Sequence, residues 1–371
     1  MQLPVFGVEE WLNQHEKSAI YDIAGVSIAS LTIEEIIALG PLSRENFFDQ
    51  LVRKKMDYGW IEGSPEFKEV VSQLYKQQSP HNILQTNGAT GANFLVLYAL
   101  LEAGDHVISL YPSYQQLYDI PKSLGCDVEF WVAREENDWL PDLEELKGMI
   151  RPNTKMICIN NANNPTGAVM DKAFLTELVA VARSVGAYIL SDEVYHPLTD
   201  EIEYEAICDL YEKGISTDSL SKTYSIPGVR VGWVVASQEM TDILRHYRDY
   251  TLICAGVFDD FTATYALKNR AALLERNRQL LSNNLAILKH WVESEPKAAL
   301  SGPAFVSTSF VRLDVPMPIE EFCCQLLEET GVLVVPGNRF GYEGYIRIGY
   351  CCQEDVLKEG LSRLSDFIAK H

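Results

Sequence analysis

Lys222 lies in Ser219-Leu-Ser-Lys-Thr-Tyr-Ser-Ile-Pro-Gly-Val-Arg-Val-Gly-Trp233, with a hydroxyl three residues before it (Ser219) and a guanidinium eight residues after it (Arg230). A lysine amine attacks a carbonyl only once it has lost its proton, and a neighbouring cation or burial lowers its pKa enough for that. Arg230 supplies such a cation. Its planar fork also suits a phosphate, with the Ser219 hydroxyl as a second donor. The stretch therefore fits a phosphorylated aldehyde held covalently through Lys222. Ser-Lys alone would read as a surface loop, because most lysines stay in water.

Five further stretches carry compatible chemistry. Asn87-Gly88-Ala89-Thr90-Gly91 opens an apolar helix at Ala92–Leu101. Free N–H groups of Ala89 and Thr90, with the Thr90 hydroxyl, would hold an anion at the positive helix end, or Gly88 simply shapes a turn. The fingerprints G-x-x-x-x-G-K-[ST] and G-x-G-x-x-G are absent there. Tyr111-Pro-Ser-Tyr114 ends a strand, where Tyr114 would stack on a planar ring or sit in a core or interface. In Asn160-Asn-Ala-Asn-Asn-Pro-Thr-Gly167, Asn164 would donate to a phenolate-like oxygen or serve an Asn-Pro turn.

Ser191-Asp192-Glu193-Val194-Tyr195 puts Asp192 just beyond a strand, where a carboxylate keeps a pyridine nitrogen protonated and its ring electron-withdrawing. Tyr195 would share the ring oxygen with Asn164. The bland reading of the acidic pair is a helix cap or a solvated surface. In Tyr345-Ile-Arg347-Ile-Gly349, Arg347 occupies an apolar strand. Arginine is seldom buried unpaired, so it needs an anion, either a substrate carboxylate or a structural salt bridge.

Elements that would position these residues follow from hydrophobic periodicity. Short β-branched runs at 106–110, 127–132, 155–159, 187–190 and 229–236 read as strands, with amphipathic helices between several of them. That alternation predicts a mostly parallel α/β sheet with its site at the strand carboxyl ends. Residues 1–40 read as an arm, with Val8, Trp11 and Leu12 on one helix face and a helix capped by Thr32. Residues 259–291 read as one or two bridging helices. We therefore expect an arm (1–40), a large domain (41–270) and a smaller α+β domain (271–371).

The chain has 371 residues, 47% of them hydrophobic, with 31 basic against 52 acidic side chains and a net charge of −21. A phosphate backbone or anionic membrane is thus not an expected partner. No basic-then-apolar leader and no apolar run near ~18 residues is present, so a cytoplasmic protein is expected. The eight cysteines show no CxxC or zinc spacing, and read as reduced core thiols without a metal.

In their order and residue types, these motifs resemble the fold-type I, pyridoxal-phosphate-dependent aminotransferases of class I/II, from about Tyr58 to Arg347. The resemblance implies a large mostly parallel seven-stranded sheet between helices, plus the smaller domain. It implies Lys222 as the Schiff-base (internal aldimine) lysine and proton shuttle, with Asp192 on the pyridinium. Asn164 and Tyr195 would meet the ring hydroxyl, and Tyr114 would stack on the ring. The phosphate would fall to Gly88, Ala89, Thr90, Ser219 and Arg230, and the substrate carboxylate to Arg347 with Asn164 beside it. Tyr58 matches the tyrosine that reaches the phosphate of a neighbouring subunit, implying a homodimer with shared sites. The implied reaction moves an amino group from an L-amino acid to a 2-oxo acid.

The N-terminus departs from this pattern. Where members usually show a Gly-x-Pro-like loop, the chain reads Ala24-Gly-Val-Ser-Ile-Ala-Ser-Leu-Thr32. With Val8-Glu-Glu-Trp11 it is similar to the capreomycidine-synthase-like branch, whose named member uses the cofactor for elimination and ring closure. A β-elimination or replacement lyase or cyclase is therefore the alternative, since Lys222 would serve either outcome. A regulator binding the cofactor without turnover would carry a basic DNA-binding domain in front, and the acidic arm leaves no room for one.

Overall fold

The computed structural model describes residues 2–302 and 305–371. A two-residue strand, β1 (Tyr21–Asp22), precedes a central sheet of seven strands. These are β2 (Ile83–Thr86), β3 (His106–Tyr111), β4 (Asp127–Val132), β5 (Thr154–Asn160), β6 (Tyr188–Asp192), β7 (Gly214–Ser219) and β8 (Gly232–Val235). They lie in the order β2-β8-β7-β6-β5-β3-β4. The pairs from β7 to β4 are parallel, and β8 runs antiparallel to both of its neighbours.

Both faces of this sheet are covered, which is why its strands are nearly continuous apolar runs. Successive side chains point to opposite faces. Ile157 and Ile159 join one cluster with Leu175, Leu178 and Ala182 of the helix Lys172–Val185. Met156 and Cys158 join another with Ala92, Leu95 and Val96 of the helix Gly88–Leu100.

The 229–236 run differs from its expected form. Its strand is confined to Gly232–Val235, while Pro227–Val229 is a 3₁₀ turn and Arg230 takes a left-handed φ of 50°. Pro227 favours that turn by fixing φ, and β-branched composition cannot override it. Asp192, expected just beyond its strand, is the last residue of β6. The bridging segment forms two helices, Val257–Lys268 and Arg270–Ser294.

After the central sheet come β9 (Ala298–Leu300), β10 (Ser309–Leu313), β11 (Val332–Leu333), β12 (Val335–Pro336) and β13 (Tyr345–Ile348). Four of them form an antiparallel sheet, β12-β13-β10-β9. Its Phe310, Ile346 and Ile348 pack with Phe322 and Leu326 of the helix Ile319–Thr330 and Leu361 and Leu364 of the helix Glu354–Ile368. The N-terminal segment is tied to this part of the chain. β1 pairs in parallel with β11, and Trp11, on the helix Gly7–His15, donates its indole N–H to the Val334 carbonyl at 2.9 Å. Thr32 caps the helix Ile33–Ala38 through a reciprocal capping box with Glu35, as an N-terminal threonine with an acid three residues on allows.

Candidate active site

Parallel register brings the separate motifs to one edge. Asn160 at the end of β5 pairs with Asp192 at the end of β6, which in turn pairs with Thr217 on β7. The loops after these ends carry Asn164, Tyr195 and Lys222. Asn160 bridges two of them, donating from Nδ2 to the Asp192 carbonyl (2.9 Å) and accepting from the Asn164 N–H (2.7 Å). A cavity of about 400 Å³ opens at this edge.

One end of the cavity is built for an anion. Ala89, Thr90, Ser219 and Arg230 line it, and Asn87 makes no side-chain cap on the helix that begins at Gly88. The first-turn N–H groups therefore lack the usual side-chain acceptor. Gly88 has φ +68°, and a Cβ there would stand 3.0 Å from Arg230 Nη2, so glycine is what lets the guanidinium approach. The left-handed turn at Arg230 aims the side chain back, and its Nη1 donates to the Pro227 carbonyl at 2.9 Å.

Lys222 opens on the same cavity. Burial, then the Arg347 charge, pulls its amine down to about 8, against the pull of Glu9 and Asp192 in the opposite direction. Asp192 is 3% exposed. Burial pushes its carboxyl up to about 6, opposed by hydrogen bonds from Asn93 Nδ2 (2.7 Å) and the Val194 N–H (3.3 Å). Tyr114 and Tyr195 flank the same space. Burial pushes the Tyr114 phenol up to about 12 and that of Tyr195 higher still, so both are donors at neutral pH.

Arg347 is buried in the cavity wall and has no ion pair among the described residues. Its Nη1 donates to Asn164 Oδ1 (3.2 Å), its Nη2 to the Ala24 carbonyl (3.0 Å), and its Nε finds no acceptor among the described residues. A structural salt bridge is thus not what holds it. Tyr58 stands apart. It is 79% exposed and does not line the cavity.

Several lining residues escaped the sequence reading. Phe6 and Glu9 come from the N-terminal segment, and Glu9 forms no ion pair among the described residues. Arg339 also lines the cavity, but its charge is balanced by Glu10 (2.8 Å) and Glu320 (2.6 Å). Asn160 has no role that its motif announces. Asn93 does not line the cavity but bonds to Asp192 from behind it, and the sequence shows it only as a lone amide in an apolar helix.

A mostly parallel sheet with an anion cradle, a lysine of lowered pKa and a buried carboxylate on one cavity defines a pyridoxal-phosphate-dependent transferase of fold type I. The residues present fit that cofactor at both its phosphate and its ring. Residues 48–364 match the model for aminotransferase class I and II, and the chain belongs to that family of transaminases. A PLP-dependent aminotransferase from Streptococcus suis is 63% identical, with a TM-score of 0.98 over 100% of this chain and 99% of that one. Capreomycidine synthase from Streptomyces vinaceus is 30% identical, covering 100% of this chain and 95% of that protein. An aspartate aminotransferase from Pyrococcus horikoshii is 30% identical over 90% of each chain.

Proposed function

We propose that the enzyme moves an amino group from an L-amino acid to a 2-oxo acid, with pyridoxal phosphate attached covalently to Lys222 Nζ. The observation that carries this is the low-pKa amine of Lys222 sharing one cavity with Asp192 and the unpaired Arg347. When bound, the cofactor supplies an electrophilic aldehyde and an electron-withdrawing ring. Lys222 Nζ would take the proton from the substrate α-carbon and deliver it to the C4′ carbon of the cofactor in the first half-reaction, and would carry a proton the opposite way, to the α-carbon derived from the oxo acid, in the second. Asp192 would face the ring nitrogen, Asn164 and Tyr195 would donate to the ring oxygen, and Tyr114 would stack on the ring. Gly88, Ala89, Thr90, Ser219 and Arg230 would hold the phosphate, and Arg347 with Asn164 would orient the substrate carboxylate.

The arm, the large domain and the small domain of the sequence reading belong to the same proposal, supported by the separate sheets. So do a cytoplasmic location and a homodimer. Met56, Tyr58 and Trp60 are all more than half exposed on one short stretch, and such a patch is commonly covered by a partner. Light scattering should give about twice 41.8 kDa. Tyr58→Phe should weaken cofactor retention by roughly tenfold, the worth of one hydrogen bond to a charged group; a monomer with unchanged retention would remove Tyr58 from the site.

Likeness to capreomycidine synthase along the whole chain favours a second reading, β-elimination, replacement or cyclisation by the same lysine. Absorbance spectra with single L-amino acids and no oxo acid, with products weighed by mass spectrometry, separate the two. Stoichiometric conversion to the pyridoxamine form supports transfer. Return of the starting spectrum with ammonia or a cyclised product would move the enzyme to the second reading.

A further inference from the structure

Asn93 is a lone amide in the run Ala92-Asn-Phe-Leu-Val-Leu, and it is fully buried. An amide belongs there only if its polar atoms are satisfied, since an unpaired buried group costs more than the bond it lacks. Both ends are satisfied, and by residues of the central sheet. Nδ2 donates to Asp192 Oδ2 at 2.7 Å, and Oδ1 accepts from Thr217 Oγ1 at 2.6 Å. Thr217 is itself fully buried on β7, in register with Asp192. Turning the amide over would set its oxygen against the carboxylate. The acceptor-only carboxylate therefore fixes which end of Asn93 faces it, and the Thr217 hydroxyl, able to donate or accept, secures the other end by donating.

We propose that Asn93, held by Thr217, is the positioning residue that keeps the Asp192 carboxylate ionised and aimed into the cavity. This rests on the reading of Asp192 as the partner of the ring nitrogen. Among the described residues the Asp192 carboxylate has one other donor, the Val194 N–H, at a longer 3.3 Å. Of the charged groups around it, Asp218 on β7 favours protonation and Lys222 opposes it. Tyr114 and Tyr195 also feel its charge and stay neutral. Burial works against ionisation, so a short bond from a preoriented amide has a large share in keeping the charge. The helix that offers its uncapped start to the phosphate would thereby also set the group that meets the ring nitrogen.

The test compares cofactor-loaded wild type with Asn93→Leu, Thr217→Val and Asp192→Asn. Absorbance of the bound cofactor is followed between about pH 5 and 9, together with cofactor dissociation and thermal midpoint. Asn93→Leu should move the pH-dependent spectral change upward by about one unit and weaken cofactor retention roughly tenfold, as loss of a charge-assisted bond requires. Thr217→Val should shift both in the same direction by less, and it carries the test if Asn93→Leu does not fold. A lower thermal midpoint with wild-type pH profile and retention in both variants, while Asp192→Asn alters them, would make the amide merely structural and overturn the proposal. An unchanged Asp192→Asn spectrum would instead overturn the Asp192 reading, and the proposal with it.

Discussion

Lys222→Ala is expected to lower turnover roughly 10,000-fold or more and to abolish the borohydride-reducible link to the cofactor, because one amine serves as both attachment point and proton carrier. Peptide mapping of the reduced protein checks this. An adduct on any other lysine would sink the assignment. The cofactor-free protein offers an independent check through stability. Lys222 titrates near 8 in the folded chain, against about 10.4 when unfolded. Its folded pKa is depressed, so between about pH 8 and 10.4 the unfolded chain binds more protons, and folding stability rises with pH across that window. Below it, the wild type carries the full cost of a protonated amine in this cavity. Lys222→Met keeps most of the volume without the charge. It should therefore melt above the cofactor-free wild type at pH 7, with the gap closing as pH rises to about 10. Parallel melting curves at all pH values would show that the amine is not desolvated.

What could be read in advance and what could not divides along chain separation. The stretch from Ser219 to Trp233 was legible because the hydroxyl, amine and guanidinium sit within a few residues on one strand and turn. Asp192 and Asn164 are legible because one ends an apolar strand and the other follows the end of another, and in a parallel sheet those ends share an edge. Val229 and Val231 favour a strand around Arg230, yet Pro227 makes a turn whose left-handed exit is what points the side chain inward.

The arm was harder. The amphipathic start assigned Val8, Trp11 and Leu12 to packing, and Trp11 does pack. Nothing local says that its anchor is Val334, or that the same helix brings Glu9 to the cavity rim. Asn93 escaped for a related reason. Its partners Asp192 and Thr217 are more than 90 residues away in sequence and become neighbours only when a helix is laid across two parallel strands.

Arg347 shows most directly why placement matters for specificity. Its guanidinium is fully desolvated and faces neutral acceptors, Asn164 Oδ1 and the Ala24 carbonyl, with Nε unused. Burial accordingly lowers its pKa, with the nearby Tyr195, Glu9 and Asp22 opposing the shift. A buried cation without a counter-ion is costly, and a substrate carboxylate would repay that cost on binding. Arg347→Met should therefore raise KM for the amino acid by the equivalent of about 2–5 kcal/mol. Arg347→Lys should recover little, since an ammonium cannot reproduce the planar fork that spans Asn164 and Ala24. Either substitution also strips donors from those two acceptors, so some general destabilisation is expected whatever the role of the arginine. Comparing an amino acid with the corresponding amine that lacks the α-carboxylate separates the effects. If Arg347 reads the carboxylate, the variant loses affinity for the acid alone and binds the amine as wild type does. Equal losses for both would show that the arginine only holds the arm and the Asn164 loop together, and the carboxylate would then need another partner.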